Sequence, residues 1–70
     1  MERADVELIV CSVAREYGIR SDIRRIALFG REWKIEIADI DGVRTTLTVF
    51  DSSPQHMRRS VMAALGLEVE

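Results

Sequence analysis

The chain has 70 residues, 47% hydrophobic and 31% charged. That is the composition of one small globular domain spanning 1–70 and excludes a disordered or fibrous chain. At this length folding buries only about 60% of the surface that the unfolded chain exposes, so net stability is modest. Ten basic residues against twelve acidic ones leave a net charge of −2. This balance is unfavourable for non-specific phosphate binding unless the charges segregate by face.

No apolar run approaches the roughly twenty residues that a membrane helix needs. No apolar stretch follows a basic N-terminus in the manner of a secretory signal. The lone cysteine, Cys11, cannot close an internal disulfide, and with the single histidine, His56, it cannot complete a zinc site. The expectation is a domain without cofactor or metal, in a reducing compartment, the cytoplasm. The basic set is nine arginines and one lysine, Lys34. Arginine's planar fork suits interfaces.

The first segment predicts a helix from about Arg3 to Tyr17. Val6, Ile9, Val10, Val13, Ala14 and Tyr17 recur at three- and four-residue steps and share one stripe. Asp5 and Glu7 sit in the first turn, where the helix dipole favours negative charge, and Gly18 is placed to end the helix. Leu8 and Cys11 lie off the stripe, and Leu8 is a secondary candidate for a partner surface.

Three strands follow. Ile23 to Phe29 is rich in large apolar residues, interrupted by arginines. Trp33 to Asp39 alternates, with Trp33, Ile35 and Ile37 opposed to Lys34, Glu36 and Ala38. Val43 to Phe50 alternates as well, with Val43, Thr45, Leu47 and Val49 opposed to Arg44, Thr46, Thr48 and Phe50. Between the last two strands, a two-residue Asp-Gly turn would set Ile35 across from Thr48 and mix the faces. A turn on Asp39-Ile40-Asp41-Gly42, with Gly42 left-handed, sets Ile35 across from Leu47 and keeps them separate. The second turn is the one expected.

The last helix begins after Ser53 as N-cap, with Pro54 at its first position. Its predicted buried stripe is Pro54, Met57, Val61, Ala64 and Leu65, and Gly66 closes it. Leu67 and Val69 form a short tail. The fold class is therefore α+β in the order α-β-β-β-α. A three-stranded antiparallel sheet carries both helices on the face bearing Ile26, Leu28, Trp33, Ile35, Ile37, Leu47 and Val49. The other face stays open.

The catalytic candidates are few. Cys11 is mid-helix, His56 sits in the first turn of the last helix on its polar side, and Tyr17 ends the first helix. Nothing in the spacing brings them together, and no phosphate loop, nucleophile elbow or metal signature is present. The expectation is a protein without enzymatic activity.

Two surfaces suit binding instead. The open face should carry Arg25, Ala27 and Phe29, then Lys34, Glu36 and Ala38, then Arg44, Thr46, Thr48 and Phe50. Aromatic and arginine side chains are the usual anchors of protein interfaces, and they also stack single-stranded nucleic acid. Arg25, Phe29, Lys34, Arg44 and Phe50 are the binding residues expected. The alternative is an anion site at the start of the last helix, Ser53 with Arg58, where backbone N–H groups attract phosphate.

The helix, three strands, helix order over nearly the whole chain resembles a double-stranded-RNA-binding domain. The resemblance implies both helices on one sheet face and phosphate contacts at the start of the second helix. That family has a lysine-rich motif there. Here the stretch reads Ser53-Pro54-Gln55-His56-Met57-Arg58-Arg59, and only Arg58 carries over. The family's minor-groove loop between the first two strands shrinks to Gly30-Arg31-Glu32. The function expected is thus a small binding module whose partner is a protein or a second copy of the chain, forming a homo-oligomer. A nucleic-acid-binding module is the alternative.

Overall fold

The computed structural model describes residues 2–67. Its order is α1 (Arg3–Glu16), β1 (Ser21–Phe29), β2 (Glu32–Asp39), β3 (Arg44–Phe50) and α2 (Pro54–Ala64). The three strands form one antiparallel sheet in the order β1-β2-β3. The fold is α+β, as the sequence predicts.

Helix α1 starts where the Glu2 backbone N–H donates to Asp5 Oδ2 at 2.9 Å, satisfying one of the orphan donors of a helix start. It ends at Glu16, one residue before the predicted end. The Ile19 N–H then reaches back to the Ala14 carbonyl at 2.7 Å, closing the last turn. Val6, Val10, Val13 and Ala14 are buried as predicted. Tyr17 is a correction: as the capping residue past the last turn it is exposed, off the stripe to which periodicity assigned it.

The hairpin between β2 and β3 adopts the predicted turn. Gly42 N–H donates to the Asp39 carbonyl at 3.0 Å, and Gly42 has φ +82°. Asp39 Oδ1 accepts from the N–H groups of Asp41 and Val43, both at 2.9 Å, so the aspartate organises the loop with its own side chain. Ile35 pairs with Leu47. Each strand starts slightly off the prediction: β1 at Ser21, β2 at Glu32 and β3 at Arg44. The β1–β2 connection is correspondingly shorter, since Phe29 pairs directly with Glu32 and leaves Gly30-Arg31 as the turn. Gly30 has φ +65°, which suits a two-residue hairpin with glycine first.

In β1 the ladder slips between Ile23 and Arg25. With a strict two-residue period, Ile23 and Ile26 would face opposite sides. The extra residue, Arg24, absorbs one step, so Ile23 opposes Ile37 and Ile26 opposes Ile35 on the same side. Leu28 shares that side but is 47% exposed, because it lies near the turn end of an edge strand. Its predicted place in the core is therefore corrected to the rim.

Val6, Val10 and Val13 of α1 and Met57, Val61 and Met62 of α2 close over Ile26, Trp33, Ile35, Ile37, Leu47 and Val49. All six strand residues lie on one sheet face, so both helices pack on that side. Ile35, at its centre, is fully buried. The buried side of α2 differs from the predicted stripe. Pro54 is exposed because it opens the helix at its outer end, and Ala64 is exposed while Met62 is buried because α2 packs against α1 as well as the sheet and its apolar arc turns toward α1. Leu67 packs against the core, and its N–H closes α2 on the Met62 carbonyl at 2.9 Å. Val69 lies outside the described residues.

Trp33 is buried, and its indole N–H donates to Asp51 Oδ1 at 3.0 Å. Asp51 N–H in turn donates to the Arg31 carbonyl at 2.7 Å. This pair of bonds ties the exit of β3 to the start of β2 and sets where the chain leaves for α2.

Two substitutions test these features. Gly42→Ala finds open space around its new methyl group but inherits the left-handed φ, so it should cost about 1 kcal/mol in denaturant unfolding. Asp51→Ala leaves the buried indole N–H without its acceptor and should cost about 1–2 kcal/mol in the same measurement.

Candidate functional site

The sheet face away from the helices is an ordered grid, because directly opposed residues of antiparallel strands share a face. At one end Phe29, Glu32 and Phe50 form a row across the three strands. Next come Ala27, Lys34 and Thr48, then Arg25, Glu36 and Thr46. The last row is Asp22, Ala38 and Arg44. Arg25, Phe29, Lys34, Arg44 and Phe50, the five expected binding residues, therefore lie on one face. No described residue of either helix crosses it.

The aromatic end is the most exposed apolar part of this face. Phe29 is 55% and Phe50 67% exposed, one on each edge strand, with Glu32 between them. Lys34 Nζ stands 5.9 Å from the centroid of the Phe29 ring, within range of a cation–aromatic attraction. Further along, Arg44 Nη1 lies 4.0 Å from Glu36 Oε1, an exposed pair worth little to stability. Ala38, expected open, is only 2% exposed. A methyl group on the central strand between Asp22 and Arg44 is covered by its longer neighbours.

Glu32 and Asp22 were not among the residues expected on this face. Extending the Trp33–Asp39 alternation back by one residue would have found Glu32. Asp22 was hidden because it precedes the bulge, where simple alternation loses count. With both included, the register-paired cations Arg25, Lys34 and Arg44 are matched by the carboxylates Asp22, Glu32 and Glu36, and the exposed bulge residue Arg24 adds a further cation at the β1 edge. A face carrying charges of both signs suits a partner of mixed charge.

The alternative site at α2 is built differently. Ser53 Oγ accepts the His56 N–H at 3.3 Å, the bond of an ordinary N-cap. The Arg58 guanidinium donates to Ser12 Oγ at 3.4 Å and is paired with the Glu16 carboxylate of α1. Its charge is thus spent within the molecule, holding the two helices together. Arg59 remains beside His56 and Gln55 in a shallow depression on the exposed side of α2. Cys11 is exposed and lines a separate depression with Leu8, Ser12, Arg15 and Glu16. The fold does not bring Cys11 and His56 together. Among the described residues, no cluster of histidine, cysteine and carboxylate side chains could hold a metal ion, and no helix is long and apolar enough to cross a membrane.

Comparison with protein-family models, with curated proteins and with solved structures found no match for this chain. The likeness to double-stranded-RNA-binding domains is thus one of element order. The two-residue β1–β2 turn and the neutralised Arg58 differ from what that family would need at its contact points.

Because Glu16 is exposed while the Arg58 side chain is only 33% exposed, Arg58→Ala loses a half-solvated ion pair and some packing of its stem and should lower stability by about 1 kcal/mol, measured by thermal or denaturant unfolding.

Proposed function

We propose that this chain is a non-enzymatic, cytoplasmic protein-binding module that docks a protein partner on the Phe29–Phe50 end of its open sheet face. The observation that carries this reading is the pair of exposed phenylalanines on either side of Glu32, beside Lys34 and on a face carrying charges of both signs. Aromatic rings supply large contact area at low entropic cost, and flanking charges of both signs orient a partner of complementary pattern. A phosphate backbone would instead be recognised by an excess of cations. The exposed lone thiol of Cys11 is at home in a reducing compartment.

The test compares the wild-type domain with Phe29→Ser, each used to capture proteins from an extract of the source cells. A protein retained by the wild type and lost by the variant is then titrated, in purified form, against isotopically labelled domain. The expected result is NMR shifts at Ala27, Phe29, Lys34, Thr48 and Phe50 that change little between low and high salt. Parallel titrations use short single-stranded and duplex RNA. Shifts with RNA that collapse as salt rises would replace this reading with nucleic-acid binding, and their position would distinguish the sheet from α2.

A further inference from the structure

The two edges of the sheet differ in how they would meet another strand. β1 is guarded: a bulge at Arg24 breaks its ladder, and Asp22, Arg24 and Arg25 crowd it with charge. Bulges and charges are the devices that keep an edge from pairing. β3 has neither from Thr45 to Phe50, a run of Thr-Thr-Leu-Thr-Val-Phe with unbroken register against β2. No described strand lies beyond it. We propose that the free edge of β3 pairs antiparallel with β3 of a second copy, joining two sheets into one about a two-fold axis at Leu47. This inference stands apart from the face-docking reading because it rests on the strand edge; the two share Phe50, and Phe29 stays free.

The backbone determines which groups are available. Asp39 N–H donates to the Val43 carbonyl, and Asp51 N–H donates to the Arg31 carbonyl. The odd-numbered residues from 43 to 51 therefore turn their polar backbone groups toward β2. Bonded and unbonded positions alternate along an antiparallel strand, so Arg44, Thr46, Thr48 and Phe50 turn theirs outward.

Register follows from the faces. Directly opposed residues share a face, so a symmetric pairing that continues both faces must centre on a residue and not between two. Leu47 is the centre that pairs the whole of β3. It sets Thr46 against Thr48 of the second copy and Arg44 against Phe50 of the second copy, each twice by symmetry. These are the outward-turned residues, so the free donors and acceptors of the edge find one another. Leu47 meets its counterpart as an unbonded pair, where side chains come closest.

The side chains fit the same arrangement. On the open face the Arg44 guanidinium comes opposite the Phe50 ring, a cation–aromatic pairing, and no like charges are opposed. Helix α2 packs on β3 and would come alongside its symmetry mate. Arg58 marks the flank of α2 that faces α1. At 3.6 residues per turn, Ser60 and Ala64 fall on the other flank, where small side chains allow close approach. A second copy supplies the Arg44–Phe50 match at both ends of the strand, which an unrelated extended segment would not. The protein partner of choice for this edge is the chain itself.

Sedimentation and amide hydrogen exchange over a protein dilution series test this. The expected result is a monomer–dimer equilibrium in which the Thr46, Thr48 and Phe50 amides gain protection as concentration rises. The Leu47 and Val49 amides, bonded to β2, stay protected throughout. Thr46→Pro deletes an outward donor without touching the β2 ladder, so it should abolish the dimer and leave the far-UV circular dichroism unchanged. If that variant does not fold, Thr46→Lys with Thr48→Lys sets like charges opposite each other and should give the same loss. Phe29→Ser, on the other edge strand, should keep the dimer, so failure of the edge and failure of face docking are read separately. A wild-type chain that stays monomeric at the highest concentration overturns the proposal. So does a dimer that survives the double lysine variant, or a wild-type dimer whose Thr46 and Thr48 amides exchange as freely as when dilute.

Discussion

Ile35 sits in the middle of the central strand, between Ile26 and Leu47, with two helices closed over it. A large apolar side chain held there contributes about 1.5–3 kcal/mol through burial alone, a sizeable share of the stability of so short a chain. The row Ile26–Ile35–Leu47 therefore fixes the register of both hairpins. A slip of one residue on either side would expose one of its members and bury a charged or hydroxyl neighbour in its place. The turns conform to this requirement. The Asp39–Gly42 loop and the glycine-first turn at Gly30 place their strands so that the row stays intact, and the bulge at Arg24 then returns Ile23 to the core side opposite Ile37.

Once the buried row is set, the opposite face has no freedom left. The period that points Ile35 inward points Lys34 and Glu36 outward, and it lines up Phe29, Glu32 and Phe50 at the far end. The open face is a by-product of core registration in its geometry, but its composition is not dictated by the core. Two phenylalanines at solvent-exposed strand ends are each more than half exposed, so core packing does not account for them. That makes them the part of the surface to explain by contact with something else.

The helices divide the work unequally. α1 is held by valines against β1 and by the Glu16–Arg58 and Ser12–Arg58 contacts against α2. α2 carries Met57, Val61 and Met62 into the core over β3 and leaves small residues on its outer flank. The molecule is consequently asymmetric at its two edges: bulged and charged at β1, smooth and uncharged from Thr45 to Phe50 at β3. The same element order in a double-stranded-RNA-binding domain says nothing about this asymmetry, because element order fixes which strands are at the edges and not what they carry.

Much of this fold is written in local pattern. The spacing of Val6, Val10 and Val13, the alternation from Trp33 to Asp39 and from Arg44 to Phe50, and the Ser53-Pro54 start of α2 each specify an element by short-range stereochemistry. The turn at Gly42 could be derived because only one register keeps Ile35 opposite Leu47. Ten of the twelve positions in the open-face grid were legible for the same reason, all but Asp22 and Glu32. What the sequence could not show depends on contacts between elements far apart in the chain. The arc of α2 turned toward α1 to bury Met62 in place of Ala64, since a helix has two neighbours to satisfy and periodicity describes only one. The bulge at Arg24 brought Asp22 onto the open face, a shift of count visible only once β1 is paired with β2. Arg58 was drawn to Glu16, on a helix more than forty positions earlier, so its charge is offset by a neighbour that local sequence does not place beside it.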